Sequence, residues 1–98
     1  MTITEKIMAY NSGRDFVVPG ELVWVDVNSV MTMDYLGKQC FKAFESLSST
    51  KKLFDKTKVV CVSDHLVPPP SEQWATMLNE WRAIVKSYDI PNFYDLGR

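Results

Sequence analysis

The stretch that decides the fold runs from Lys58 to Pro70 and reads KVVCVSDHLVPPP. It begins with an almost wholly apolar run, which is typical of a parallel strand covered on both faces. Three consecutive prolines follow, and proline cannot continue a β-ladder. The stretch therefore predicts a buried strand over residues 58–62 and a loop that carries Asp64 and His65. His65 is the only histidine of the chain.

Helical and strand patterns alternate on either side of that strand. Apolar spacing predicts helices over about residues 2–10, 35–47 and 71–88, and β-branched or aromatic runs predict strands over 22–27, 58–62 and 92–96. The candidate N-caps are Thr2 or Thr4, Asp34 and Ser71. Strands separated by helices are typical of right-handed crossovers. The predicted fold class is α/β, ordered helix–strand–helix–strand–helix–strand, with a small parallel sheet.

Aromatic residues at strand or helix spacing are predicted to form the core: Trp24, Trp74, Trp81, Phe41 and Phe44. Cys40, in a predicted helix, and Cys61, in a predicted strand, are also expected to be small buried side chains in a reducing compartment. An iron–sulfur site normally needs three or four cysteine thiolates, and the chain has two cysteines. Any such cluster has to be completed by residues outside this chain.

The composition is that of an ordinary globular protein. The 98 residues are 46% hydrophobic and 23% charged, a size that suits one small domain or a piece of a larger one. The formal net charge is −1 and there is no basic stripe, so neither nucleic acid nor a membrane surface is an expected partner. Glu5 and Lys6 interrupt the N-terminal region where a signal peptide needs an apolar core. A cytoplasmic location is therefore expected.

Two loops are predicted to open at the same edge of the sheet. The segment Met31-Thr32-Met33-Asp34 follows the first predicted strand, and Asp64-His65 follows the second. Ligands of open parallel sheets gather outside the carboxyl ends of the strands. A histidine beside an aspartate suits proton transfer at neutral pH, because the carboxylate can orient the ring and favour its protonated form.

Other interpretations of this loop stay open at the level of the residues. Adjacent side chains of an extended segment point in opposite directions, so Asp64 is also explained as a partner of the backbone or of another residue. A metal site made of Cys61, Asp64 and His65 is disfavoured, because the spacing matches no common ligand arrangement. The three prolines are explained as a rigid exit from the strand. Taken alone, the dipeptide favours a structural role over a catalytic one.

Six stretches of the chain resemble the N-terminal segment of the aconitase superfamily, specifically the large subunits of 3-isopropylmalate dehydratase and homoaconitase-type enzymes. They are TITEKIMAYNSGR (2–14), VVPGELVWVDVNSVMTMD (17–34), KAFESL (42–47), KVVCVSDHLVPPP (58–70), NEWR (79–82) and NFYDLGR (92–98). The second and fourth are the most specific. A strand entering MT-x-D, followed about thirty residues later by a strand entering DH, is the order and spacing of the family.

The resemblance implies a function for the complete enzyme. Family members move a hydroxyl group between neighbouring carbons of a hydroxy acid, by dehydration and rehydration at a [4Fe–4S] cluster. It implies that Asp64 and His65 are catalytic and handle the leaving hydroxyl or water, and that Thr32 and Asp34 bind substrate. No residue of this chain is expected to be a metal ligand, and no cluster is expected on this chain alone. The cluster cysteines and the catalytic base are expected from the remainder of the enzyme, or from a small subunit that supplies the swivelling domain.

Two departures from the family pattern bear on activity. Met33 stands where the family's dehydratases carry histidine and aconitases glutamine, and methionine neither donates a strong hydrogen bond nor carries a proton. The chain also stops at Gly97-Arg98, directly after a predicted strand, so residues 1–98 are expected to be one α/β segment truncated from a larger domain. The prediction is therefore a segment of a hydro-lyase that is inactive alone. The alternative is a non-catalytic short protein that keeps the fold and acts by association, including self-association.

Overall fold

The computed structural model describes residues 1–47 and 49–97, so Arg98, one of the two residues on which the predicted truncation rests, lies outside the described residues. The described residues form α1 (Ile3–Ser12), β1 (Val30–Met33), α2 (Asp34–Leu47), β2 (Val59–Val62), α3 (Glu72–Ser87) and β3 (Asn92–Tyr94), with a short 3-10 helix (Lys56–Lys58) before β2. All three strands are parallel and lie in the order β1–β2–β3. The predicted fold class and order of elements are confirmed. Within the described ranges, no helix is both long and apolar enough to cross a membrane.

Helix α1 begins and ends where the sequence predicts. The Thr2 hydroxyl accepts a hydrogen bond from the Glu5 N–H at 3.2 Å, and the Glu5 carboxylate accepts one from the Thr2 N–H at 2.6 Å. This reciprocal pair satisfies two backbone donors that a helix start leaves free. Gly13 ends the helix with a φ of 67°, a left-handed conformation that glycine adopts without a steric penalty from a Cβ.

The prediction of a first strand over residues 22–27 is wrong, and the first strand is Val30–Met33. An apolar run becomes a strand only where a neighbouring strand offers its backbone groups, and β2 pairs with residues 30–33. The segment before it is tied to the end of α1, where the Asp26 N–H donates to the Asn11 carbonyl at 2.8 Å. Trp24 is 97% exposed, so its predicted place in the core is also wrong.

The core lies between the sheet and helices α2 and α3. Its buried members are Phe41, Cys61, Leu78, Trp81, Val85 and Ile90. Trp81 is completely buried, and its indole N–H donates to the Ser63 hydroxyl at 3.3 Å. The core positions predicted for Phe41 and Trp81 are confirmed, whereas Phe44 and Trp74 are only half-buried and are not among the buried members of the core.

The two cysteines occupy opposite environments. Cys61 is completely buried on β2, and burial raises the pKa of its thiol to about 11. Cys40 is exposed on α2, so the prediction that it is buried is wrong. Helical spacing puts Cys40 on the same side of α2 as apolar residues, which suggested a buried position. That side of the helix faces an open groove beside β1 at this point.

That groove is an apolar depression of about 400 Å³ at the amino-terminal end of the sheet. Its apolar lining comes from β1, from α2 and from the segments before β1 and β2, and includes Val27, Val30, Met31, Phe44, Leu53 and Phe54. Met31 is 70% exposed and Phe54 is 97% exposed. The groove lies at the ends of β1 and β2 where the strands begin, so it is separate from the loop that carries His65.

Candidate active site

The carboxyl ends of the three strands meet at one edge of the sheet. The register pairs Met33 with Val62 and Val62 with Tyr94, so the three strands end at the same level. β1 leads directly into Asp34, and β2 leads into Ser63-Asp64-His65. Because β2 is the central strand, its loop lies in the middle of the edge at which open parallel sheets bind ligands.

Asp64 and His65 form a direct side-chain pair at this edge. His65 Nδ1 lies 2.6 Å from Asp64 Oδ1, and the two side chains are 50% and 59% exposed. The backbone bends at His65, so the neighbouring side chains meet instead of pointing apart. The hydrogen bond that Asp64 accepts from the ring raises the pKa of His65 above its ordinary value, the charges of Asp64 and Asp34 add to this, and desolvation opposes it. The ring is therefore more basic than a free histidine, and Nε2 is the nitrogen that a ligand can reach.

Asp34 is completely buried, in contrast to this exposed pair. It is the first residue of α2 and not a residue preceding the helix, as the predicted N-cap would be. Its Oδ1 accepts from the Tyr35 N–H at 2.9 Å and the His65 N–H at 3.2 Å, and its Oδ2 accepts from the Leu66 N–H at 2.8 Å. Backbone amides thus satisfy a carboxylate that would otherwise be costly to bury.

Two aromatic side chains lie beside His65. The ring centroids of Tyr35 and His65 are 6.3 Å apart with planes inclined by 27°, and those of Tyr35 and Trp74 are 5.9 Å apart. The sequence does not single out Tyr35, and it assigns Trp74 to the core. Their positions in the first turns of α2 and α3 are the signal that could find them, since helices of parallel sheets begin near the carboxyl edge.

Thr32, the remaining predicted site residue, lies within β1 and not in a loop after it, as does Met33. Thr32 pairs with Cys61, is half-buried and lines the apolar groove. Met33 pairs with Val62, is half-buried and directly precedes Asp34. The structure therefore brings Asp34 to the Asp64–His65 pair, while Thr32 lines a groove to which neither member of the pair contributes.

Potential metal ligands also approach one another at this edge. Ligand atoms of Asp34, Asp64 and His65 all lie within 4.8 Å of one another. However, Asp34 is buried and both its oxygens accept backbone hydrogen bonds, which leaves Asp64 and His65, already bonded to each other. Two such side chains are too few for a structural metal site. Cys61 is equally unsuited, because its buried thiol resists deprotonation.

An ion pair supports the loop from the β3 side. Arg82 Nε donates to Asp95 Oδ2 at 2.5 Å, and Arg82 Nη2 donates to Asp95 Oδ1 at 3.1 Å. The Arg82 hydrogen bonds hold the pKa of Asp95 below its ordinary value. The Ser63 N–H donates to the Tyr94 carbonyl at 2.8 Å and so ties the β2 loop to the end of β3. These contacts fasten α3 and β3 to the edge on which His65 lies.

Comparison with known proteins identifies 3-isopropylmalate dehydratase large subunits that are similar to this chain. No family model matches the chain. A 3-isopropylmalate dehydratase large subunit from Caldanaerobacter subterraneus subsp. tengcongensis is 39% identical over 98 residues, covering 100% of this chain. Those from Saccharolobus solfataricus and Caldicellulosiruptor saccharolyticus are 41% identical over 96 residues and 35% identical over 97 residues, covering 98% and 99% of it. The resemblance inferred from the sequence is confirmed. The chain is similar to these large subunits along its whole length, yet spans only about 23% of theirs.

Proposed function

We propose that this chain forms part of the active site of an aconitase-type hydro-lyase of the 3-isopropylmalate dehydratase large-subunit type. Such an enzyme isomerises a hydroxy acid by dehydration and rehydration. The observation that carries the proposal is the Asp64–His65 pair, which lies half-exposed at the carboxyl edge of a parallel sheet with the pKa of His65 raised. Similarity to large subunits of that enzyme over the whole chain supports the same conclusion.

In this proposal His65 is the general acid of the dehydration. A hydroxyl group leaves as water when its oxygen receives a proton and takes the C–O bonding electrons, while the catalytic base of the complete enzyme removes the proton of the neighbouring carbon and the C–H electrons form the double bond. Protonated His65 directs its Nδ1–H towards Asp64 and offers the proton on Nε2. Asp64 keeps the ring oriented after the transfer, and the raised pKa keeps more of the ring protonated at neutral pH. Rehydration at the neighbouring carbon returns the proton to Nε2.

The cysteines of this chain do not fit a [4Fe–4S] cluster. Cys61 is buried in the core with a thiol pKa of about 11, and Cys40 lies on the surface of α2. A cubane cluster is held by three or four thiolates, so two separated thiols are insufficient. We therefore assign the cluster ligands of the complete enzyme to its remainder. The resemblance implies that the catalytic base also comes from that remainder, or from a small subunit with the swivelling domain.

The substrate class follows from the resemblance, which supports a hydroxy acid bound near Thr32 and Asp34. Both residues stay predictions as substrate ligands. Asp34 is completely buried, which favours an indirect role for its carboxylate over a contact with substrate. The expected cytoplasmic location also stays a prediction.

The test of the proposal uses a complete parent enzyme that carries this segment. Replacing His65 by alanine should lower the dehydration rate roughly 100-fold or more, the usual scale for loss of a general acid. Asp89→Asn is the control, because the Asp89 side chain is exposed in the turn after α3, its one described side-chain partner is Lys56, and asparagine tolerates the φ of 52° at this position. A His65→Ala parent with full turnover and normal cluster content would refute the catalytic role of His65.

A second candidate function is non-catalytic association. The specific observation in its favour is the apolar groove beside β1, where Met31 and Phe54 expose most of their side chains. As an edge strand, β1 also leaves one row of backbone groups without a strand partner in the described sheet. A second copy of the chain, or the remainder of the enzyme, is the expected occupant.

A further inference from the structure

Asp34 connects the two loops of the candidate site through backbone amides. It belongs to the β1–α2 junction, and two of its three hydrogen-bond donors, the N–H groups of His65 and Leu66, belong to the loop after β2. These donors are 31 and 32 positions away in the sequence. The third donor is the N–H of Tyr35. One carboxylate therefore holds the backbone of both Tyr35 and His65, whose rings lie beside each other.

The environment of Asp34 makes direct contact with a substrate unfavourable. The residue is 0% exposed, and each carboxylate oxygen already accepts at least one hydrogen bond from a backbone N–H. Hydrogen bonds to an ionised carboxylate are roughly twice as strong as neutral ones, so a substrate would have to displace strong interactions to reach it. Leu66 is also buried, at 5% exposure, which shields the bond between its N–H and Oδ2 from water.

We infer that Asp34 is a positioning residue for His65, which it holds through the backbone of residues 65–66, and not a substrate ligand. Asp34 fixes where the His65 backbone lies, and Asp64 fixes how the imidazole is turned. Both carboxylates are needed to direct Nε2 at one place above the sheet edge. The inference rests on the proposed function, because a fixed imidazole matters for chemistry only if His65 transfers the proton.

The variant Asp34→Asn tests this in the 98-residue chain. Asparagine keeps the shape of the side chain but has only one oxygen acceptor, and its NH₂ group faces a backbone donor where Oδ2 was. Exchange of the Leu66 amide proton should accelerate roughly tenfold, the scale of one lost hydrogen bond. The pKa of His65, followed by NMR of the ring nitrogens, should fall towards 6.5, because the charge of Asp34 is gone and the contact with Asp64 is loosened.

Asp55→Asn is the matched control. It removes a carboxylate at the opposite end of β2, where Asp55 accepts hydrogen bonds from the N–H and the hydroxyl of Thr57. We expect this variant to lose stability but to keep the wild-type titration of His65, whose ring faces the charged groups of Asp64 and Asp34. A purely structural role for Asp34 predicts the same behaviour for both variants. An unchanged His65 titration and unchanged Leu66 exchange in Asp34→Asn would overturn the inference.

If Asp34→Asn does not fold, the hydrogen bonds of Asp34 can be tested in the wild-type protein. Through-hydrogen-bond NMR couplings should link the Asp34 carboxylate carbon to the amide nitrogens of His65 and Leu66. A Leu66 amide that exchanges as fast as an exposed loop amide would contradict the inference. None of these measurements depends on turnover. If the hydrogen bonds of Asp34 are present but a complete parent enzyme keeps full activity without His65, only the proposed function is refuted. If the hydrogen bonds are absent but the enzyme loses its activity without His65, only the positioning role of Asp34 is refuted.

Discussion

Gly37 of α2 lies directly against the indole of Trp81 of α3, so close that a Cβ on Gly37 would stand 2.0 Å from Cζ3 of the ring. This approach brings the two helices together at the centre of the core. It also fixes the Trp81 indole, whose N–H donates to the hydroxyl of Ser63 immediately before Asp64. The absence of a side chain at Gly37 therefore helps to determine where the loop that carries His65 lies.

Gly37→Ala should therefore destabilise the fold. The added methyl group overlaps the Trp81 ring, which is completely buried and has no room to move, and overpacking of this kind costs about 1–3 kcal/mol. Urea unfolding followed by circular dichroism measures the change. Gln39→Ala, at an exposed position of the same helix, should change the free energy of unfolding by less than about 0.5 kcal/mol. Equal stability of the two variants would show that the helices can separate without cost.

The pair formed by Asp64 and His65 should make stability depend on pH in a defined direction. The hydrogen bond that Asp64 accepts from the ring raises the pKa of His65 above its ordinary value of 6.5, so folding favours the protonated ring. The stabilisation is fully present below pH 6.5 and is lost as the pH rises through the folded pKa. Thermal unfolding of wild type and Asp64→Asn should therefore differ more at about pH 5 than at about pH 9. The opposite order would mean that His65 is held in its neutral form.

Met33→His should raise the dehydration rate of a complete parent enzyme that carries this segment. Met33 directly precedes Asp34 at the carboxyl end of β1, where the resembling dehydratases carry histidine. A gain of about tenfold is expected, the scale of one restored hydrogen bond. Met33→Leu controls for the removal of the thioether and should bring no gain. Identical rates for the two variants would show that a polar side chain at this position does not contribute to the reaction.

Association through the apolar groove should depend on Phe54. Its side chain is 97% exposed in the groove lining, so Phe54→Ser removes apolar surface without opening the core. Light scattering over a concentration series should show wild-type mass rising with concentration, and Phe54→Ser should reduce the rise. Leu22→Ser is the matched control, because Leu22 is 99% exposed but does not line the groove. A wild-type chain that stays monomeric at high concentration would contradict the prediction.

Sequence patterns predict most of this fold because they record local preferences. The apolar run before Ser63 and the three prolines after it define β2, and apolar spacing with a Ser71 cap defines α3. The first strand was not predictable in this way. Residues 22–27 have the better strand composition, and only pairing with β2 selects Val30–Met33.

The candidate site could be predicted only in part, for a related reason. The order of strands and loops places Asp34, Asp64 and His65 at one edge, and the sequence contains that order. The contact between Asp64 and His65 depends on a backbone bend, and the hydrogen bonds of Asp34 join residues more than thirty positions apart. Neither relation leaves a periodic signal in the sequence.

Because the two cysteines differ in exposure, thiol labelling of the unmodified chain can measure local opening of the core. Cys40 offers a surface thiol to a maleimide, whereas the thiol of Cys61 is enclosed in the core and, with a pKa of about 11, carries little thiolate. One dye can therefore be attached beside the groove without mutagenesis. The slower labelling rate of Cys61 then measures how often β2 opens. This strand lies between the groove and the loop that carries His65.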